Sequence, residues 1–168
     1  MFSNKALKKL ILPLIIEQIL IMAVGVADTV MVSYAGEVAI SGVGLVDMFN
    51  NLIITVLAAI DAGGVIIVSQ YIGNKDRKNA NKASSQLLTI TIVIATVIML
   101  GCLVFHRILL STFFGAIEMD VMKAATTYFL ISAISFPFLG VYNSAAALYR
   151  SMEKTRTTMY VSILMNII

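Results

Sequence analysis

The sequence predicts an all-α membrane protein, a polytopic bundle of transmembrane helices, and three observations carry that prediction. The first is composition. Hydrophobic residues make up 60% of the 168 positions and charged residues only 12%, against about 45–50% and about 25% in soluble domains. Mean hydropathy is correspondingly high, at +0.96. The second is run length: a hydrocarbon core of about 30 Å takes about 20 helical residues, and four apolar runs reach that length. The third is period. Backbone groups in lipid must be satisfied within helices or a closed barrel, and the runs lack the strict alternation of barrel strands.

The elements follow in chain order. The first span is expected over Leu10 to Val32, with Pro13 in its first turn, where a missing N–H costs nothing. The second runs from Gly44 to Ile72 and is long enough to project beyond the core; Gly63 and Gly64 would let a neighbouring helix approach closely. The third covers Leu87 to Leu110. It holds the single cysteine, Cys102, read as a buried thiol without an internal disulfide partner, and ends near an interfacial His106. The connection from Ser111 to Thr126 contains "FFGAIEMDVMKAA", which reads as a short interfacial helix. The fourth span covers Ala125 to Tyr149. Pro137 lies mid-span, where it frees a carbonyl and makes a hinge candidate. A fifth begins near Thr158 with "TMYVSILMNII", about half the length needed to cross, so the chain reads as a fragment of a longer protein.

Ten of the twelve basic residues fall on one side of this alternating topology. They are Lys5, Lys8 and Lys9 before span one, Lys75, Arg77, Lys78 and Lys82 after span two, and Arg150, Lys154 and Arg156 after span four. The opposite segments hold only Arg107 and Lys123. The bias toward basic cytoplasmic loops puts the N-terminus in the cytoplasm of a multi-pass protein of the cytoplasmic membrane. It also accounts for the formal charge of +3 without a nucleic-acid partner. No phosphate loop, zinc spacing or serine elbow is present, so the expectation is no enzyme, no cofactor and no resident metal.

Acids at membrane depth are the residues that stand out. An ionisable group at the centre of a span costs at least about 2.5–3.5 kcal/mol by insertion scales, and usually faces the bundle interior or a wet cavity. Asp28 and Asp61 fall in this class. Glu17 lies eleven residues before Asp28, about three turns, so the two share a face of span one. On span two, Asp47, Asn50, Asn51, Ala58, Asp61 and Ser69 form a stripe that should meet a cavity or polar partners. Asp47 itself reads as an interfacial carboxylate. A carboxyl in a dry site disfavours its charged form until a cation arrives, so it can exchange a proton for a cation. Asp28 and Asp61 on adjacent spans also fit an intramembrane aspartyl protease loosely, but "VADTV" and "AIDAG" lack that class's Tyr-Asp and Gly-x-Gly-Asp signatures.

Four stretches, "LPLIIEQ", "GVADTVMVSYAGEVAISGVGL", "GGVIIVSQYIGNKD" and "ALYRSMEKTRTTMY", resemble in order and spacing the first spans of the multidrug and toxic compound extrusion (MATE) family. The resemblance implies twelve helices in two six-helix lobes, of which this chain would be part of the N-lobe and none of the C-lobe. It implies a multidrug efflux antiporter in which inward flow of Na+ or H+ drives export of organic cations or other amphipathic compounds. Asp28 matches the family's acidic site on the first helix, with Na+ or H+ as its ligand. Asn166 matches the first of the asparagines that the fifth helix brings to that site. Glu17, Asn50, Asn51 and Asp61 become cavity-lining candidates. The loop pattern Arg-x-x-Gly-x-x-x-x-Pro keeps Arg150 but has Glu153 and Thr158 at its Gly and Pro positions, and Asp61 replaces a small residue. A related branch flips lipid-linked oligosaccharides and tends to carry more basic cavities, so the acidic stripe favours cationic cargo.

Overall fold

The computed structural model describes residues 4–115, 117–152 and 154–167, with side chains from 11 to 164 within those stretches. Five α-helices follow one another: α1 (Asn4–Ser33), α2 (Glu37–Gly73), α3 (Arg77–Phe114), α4 (Met119–Ser151) and α5 (Thr155–Ile167). Among the described residues there is no strand. Four of the helices contain stretches long and apolar enough to cross a membrane.

Every helix is longer than its apolar run. Hydropathy marks where the oil lies, whereas a helix continues until a residue stops it. Residues 34–36 and 74–76 are the only breaks around α2. Gly36 adopts φ 95°, a left-handed value that costs glycine nothing. Lys75 takes φ 58°. Asp76 then caps α3: its side chain accepts from the Asn79 backbone N–H at 3.1 Å, filling one of the donors that a helix start leaves open. This exposed cap holds the Asp76 carboxyl below the usual aspartate value, through hydrogen bonds from Asn79 to the charged form.

Two expectations are corrected. Pro13 lies inside α1, because that helix begins nine residues earlier; Pro13 is buried, so its ring serves packing. The segment around "FFGAIEMDVMKAA" makes no separate helix among its described residues. α3 runs to Phe114, the chain breaks at Gly115 with φ 62°, and α4 starts at Met119.

The core belongs to α2, α3 and α4, which pack mutually; α1 packs chiefly on α5 and touches the trio less. Val46, Ile53 and Leu57 of α2, Ala95 and Cys102 of α3, and Phe129 and Phe136 of α4 form one buried cluster. Phe49 sets its ring edge-on against Phe113 and Phe129, with centroids 5.7 and 5.1 Å apart. These geometries suit the ring quadrupole. Small residues let the helices close. A Cβ on Gly42 would lie 2.9 Å from the Ala125 backbone nitrogen, and one on Gly64 would overlap the Leu87 side chain, while Gly63 has open space. Large apolar side chains such as Leu12, Met31, Val104 and Phe138 are exposed, the surface lipid would cover.

Candidate functional site

α1, α2 and α4 frame two adjoining cavities near the end that carries the α1–α2 turn. One, of about 380 Å³, lies between α2 and α4. It is lined by Asp47, Asn50, Asn51, Ile54, Tyr128, Ser132, Ser135, Phe136 and Leu139. The other, of about 550 Å³, lies between α1, α2 and α4 and is lined by Gly25, Asp28, Thr29, Met31, Val32, Ile40, Val43, Gly44, Asp47 and Tyr128. Asp47 and Tyr128 line both. The Tyr128 hydroxyl donates to Asp47 Oδ1 at 3.1 Å, so the wall between the cavities is a phenol and a carboxylate held together.

Helical spacing builds this wall. Asp47, Asn50, Asn51 and Ile54 occupy successive positions on one face of α2, at i, i+3, i+4 and i+7. Tyr128, Ser132, Ser135 and Leu139 share one face of α4, at i, i+4, i+7 and i+11. Thr29 turns its hydroxyl to the Gly25 carbonyl at 2.8 Å, satisfying itself within α1 and leaving Asp28 as the polar group of that face. Asn50 Oδ1 is buried without a hydrogen-bond partner among the described residues, an open acceptor in the cavity wall. Among the described residues the sole ion pair is Lys123 with Asp120, so no described cation neutralises Asp28 or Asp47 by direct pairing. Two carboxylates, an orphaned amide oxygen and apolar flanks suit a cation with an apolar body, or a small hard cation.

The structure brings Asp28, Asn50 and Asn51 to these cavities and sends the other candidates elsewhere. Glu17 is buried against α5, where Thr158 Oγ1 donates to Glu17 Oε2 at 2.8 Å. The Thr155 carbonyl, 2.9 Å away, shares the same proton. Asp61 is buried where α2 meets α3 and α4 and accepts from Thr91 Oγ1 at 3.0 Å and from Ser144 Oγ. Neither acid lines the two cavities. Pro137 sits within α4, which continues through it. Asn166 belongs to α5, and its side chain lies outside the described residues.

Asp47 and Tyr128 are drawn into the site by the packing of the helices. From sequence Asp47 reads as an interfacial carboxylate; in the structure it lines both cavities. α2 begins at Glu37, which puts Asp47 about 15 Å along the helix. Tyr128 gave no signal, since a tyrosine in an apolar run reads as filler.

Comparison with known proteins supplies the family. The family model described as MatE matches residues 13–168. An uncharacterized transporter of Bacillus subtilis, YisQ, is 28% identical over 99% of this chain and 38% of its own length. A probable multidrug resistance protein NorM of Thermotoga maritima is 29% identical over 97% of this chain and 35% of its own. The chain thus spans little more than a third of the curated relatives it matches. In the same fold, at TM-score 0.88 and 20% identity, are a MOP superfamily transporter from Pyrococcus furiosus and an outward-facing multidrug resistance MATE family transporter. Each covers 96% of this chain, and this chain covers 35% and 36% of them respectively. With the family model matching nearly the whole sequence, this chain belongs to the MatE family of membrane transporters.

Proposed function

We propose that this chain forms part of the N-lobe of a cation-coupled antiporter that exports organic cations or other amphipathic compounds across the cytoplasmic membrane, its N-terminus in the cytoplasm. One observation carries the reading: Asp28 and Asp47 line one 550 Å³ cavity and no described basic side chain pairs with either. An anionic, partly apolar chamber favours a lipophilic cation over an anionic or sugar-phosphate cargo.

In this reading Asp28, on the loosely held α1, binds the coupling ion, H+ or Na+, and Asp47 with Tyr128 faces the cargo. Asn50 and Asn51 supply further oxygens, and Asn166 of α5 is assigned to the coupling site by its match to the family pattern. Transport then needs the second lobe, with access alternating as one lobe rocks against the other. Pro137 is the proposed flexure in α4.

The test is efflux of a fluorescent organic cation from vesicles containing the protein of the complete reading frame, under imposed Na+ or H+ gradients. Gradient-driven efflux that Asp28→Asn abolishes is the expected result. Gradient-independent movement, or movement only of a labelled lipid-linked oligosaccharide, would overturn it in favour of a flippase. The gradient that drives efflux identifies the coupling ion.

A further inference from the structure

Asp61 presents an electrostatic problem that neither cavity resolves. It is 3% exposed, and Thr91 and Ser144, which donate to it, are both at 0%. Both hydroxyls converge on Oδ1, leaving Oδ2 buried without a partner among the described residues. If the group is ionised, half of a buried charge is unsatisfied; if it is protonated on Oδ2, its O–H finds no acceptor among the described residues. Buried polar groups are rarely left in either state.

The behaviour of the two hydroxyls is equally unusual for this molecule. Most described helical hydroxyls turn back to their own helix, as Thr55 does to the Asn51 carbonyl at 2.8 Å, Thr89 to Ser85 at 2.9 Å and Thr96 to Ile92 at 2.7 Å; Thr158 reaches Glu17 but keeps its own-helix carbonyl as well. That bond is the standard refuge for Ser and Thr inside a helix. Thr91 and Ser144 instead reach across to α2. Rotation to their own i−4 carbonyls, of Leu87 and Gly140, would turn their lone pairs toward Asp61 and complete a set of four oxygens, two carboxylate and two hydroxyl, from three helices.

We propose that Asp61, Thr91 and Ser144 form a second cation site, for a small monovalent ion with Na+ preferred. Hard oxygen ligands select alkali and alkaline-earth ions over soft metals. One carboxylate balances one positive charge, and a divalent ion would leave a net charge in a fully buried place. Tight packing between three helices favours Na+ over the larger K+. When the site is empty, the hydroxyls donate to Asp61; when it is filled, they donate to their own helices and the ion takes their place. The site lies fourteen residues from Asp47 along α2, about 21 Å, and is independent of the cargo cavities.

The experiment measures saturable 22Na+ binding to the purified full-length protein carrying Asp28→Asn and Asp47→Asn, with K+ and Li+ as competitors. The expected result is residual binding that Asp61→Asn removes, that Ser144→Ala or Thr91→Val weakens at least tenfold, and that K+ displaces poorly. The hydroxyl variants keep the test decisive should Asp61→Asn fail to fold. Absence of saturable binding in the folded double variant, binding unchanged by the hydroxyl substitutions, or occupancy by protons with no Na+ competition would each overturn the proposal.

Discussion

At the scale of the residue, the acids of this chain differ in what holds them. Asp28 is exposed to its cavity, Asp47 is fixed by a phenol, Glu17 by a threonine and Asp61 by two hydroxyls. The Tyr128–Asp47 bond separates orientation from charge. Tyr128→Phe keeps the carboxylate but removes the donor that orients it; a hydrogen bond to a charged group is worth about 1.5–3 kcal/mol. Apparent affinity for a fluorescent organic cation should therefore fall by about tenfold in vesicle efflux. Asp47→Asn keeps an acceptor for Tyr128 and removes the charge, so a loss confined to that variant would show that orientation is unimportant. Asp28, Asn50 and Asn51 were legible from sequence because polar atoms in oil are conspicuous and their helical spacing is fixed. The stripe containing Asp61 was legible too, but not its destination. Only the packed structure shows that Thr91 and Ser144 meet it there, since residues thirty and eighty-three positions away leave no local trace.

At the scale of the element, the four expected spans lie within the helices observed, and the boundaries differ by up to ten residues at an end. A bilayer sets the length of the apolar run, whereas caps and turns set the length of the helix. The cap of α3 is legible in "NKDRKN": Asp76 precedes the helix, and its carboxylate meets Asn79 at both N–H and side-chain amide, at 3.1 and 2.7 Å. The pH dependence follows from the direction of the shift. The Asp76 carboxyl is held below its usual value in the folded state, so its contribution is complete above that value and is lost as pH falls through the lowered one. In thermal melts of detergent-solubilised protein, Asp76→Ala should lower the midpoint at neutral pH. The gap from wild type should close at pH values below the ordinary aspartate range. A gap of constant size down to that acidity would mean that the cap acts without its charge.

At the scale of the whole molecule, the chain divides into a trio and a pair. α2, α3 and α4 own the described core. α1 is exposed from Ile21 to Met31 and leans on α5, with Glu17 and Thr158 at the contact. This division was not legible in sequence, because hydropathy scores all four spans alike and says nothing of which helices touch. Thr158, where the family pattern has a proline, donates a hydrogen bond that ties the two helices. Stability follows contact, so hydrogen exchange in detergent should be slowest in α2–α4 and faster in α1 and α5. Glu17→Ala should speed exchange in α5 while leaving the trio unchanged; equal acceleration throughout would argue that the molecule opens as one unit. The connectors add a mechanical consequence. Three residues join α1 to α2, and three join α2 to α3; such a strap reaches about 10 Å when taut. A piston stroke of one helix past its neighbour would have to unravel helix ends to find slack. What the straps leave free is leverage: α1 can tilt about its tether or bend along its uncovered length, so that Asp28 travels on an arc and its distance from Asp47 becomes the stroke of the device.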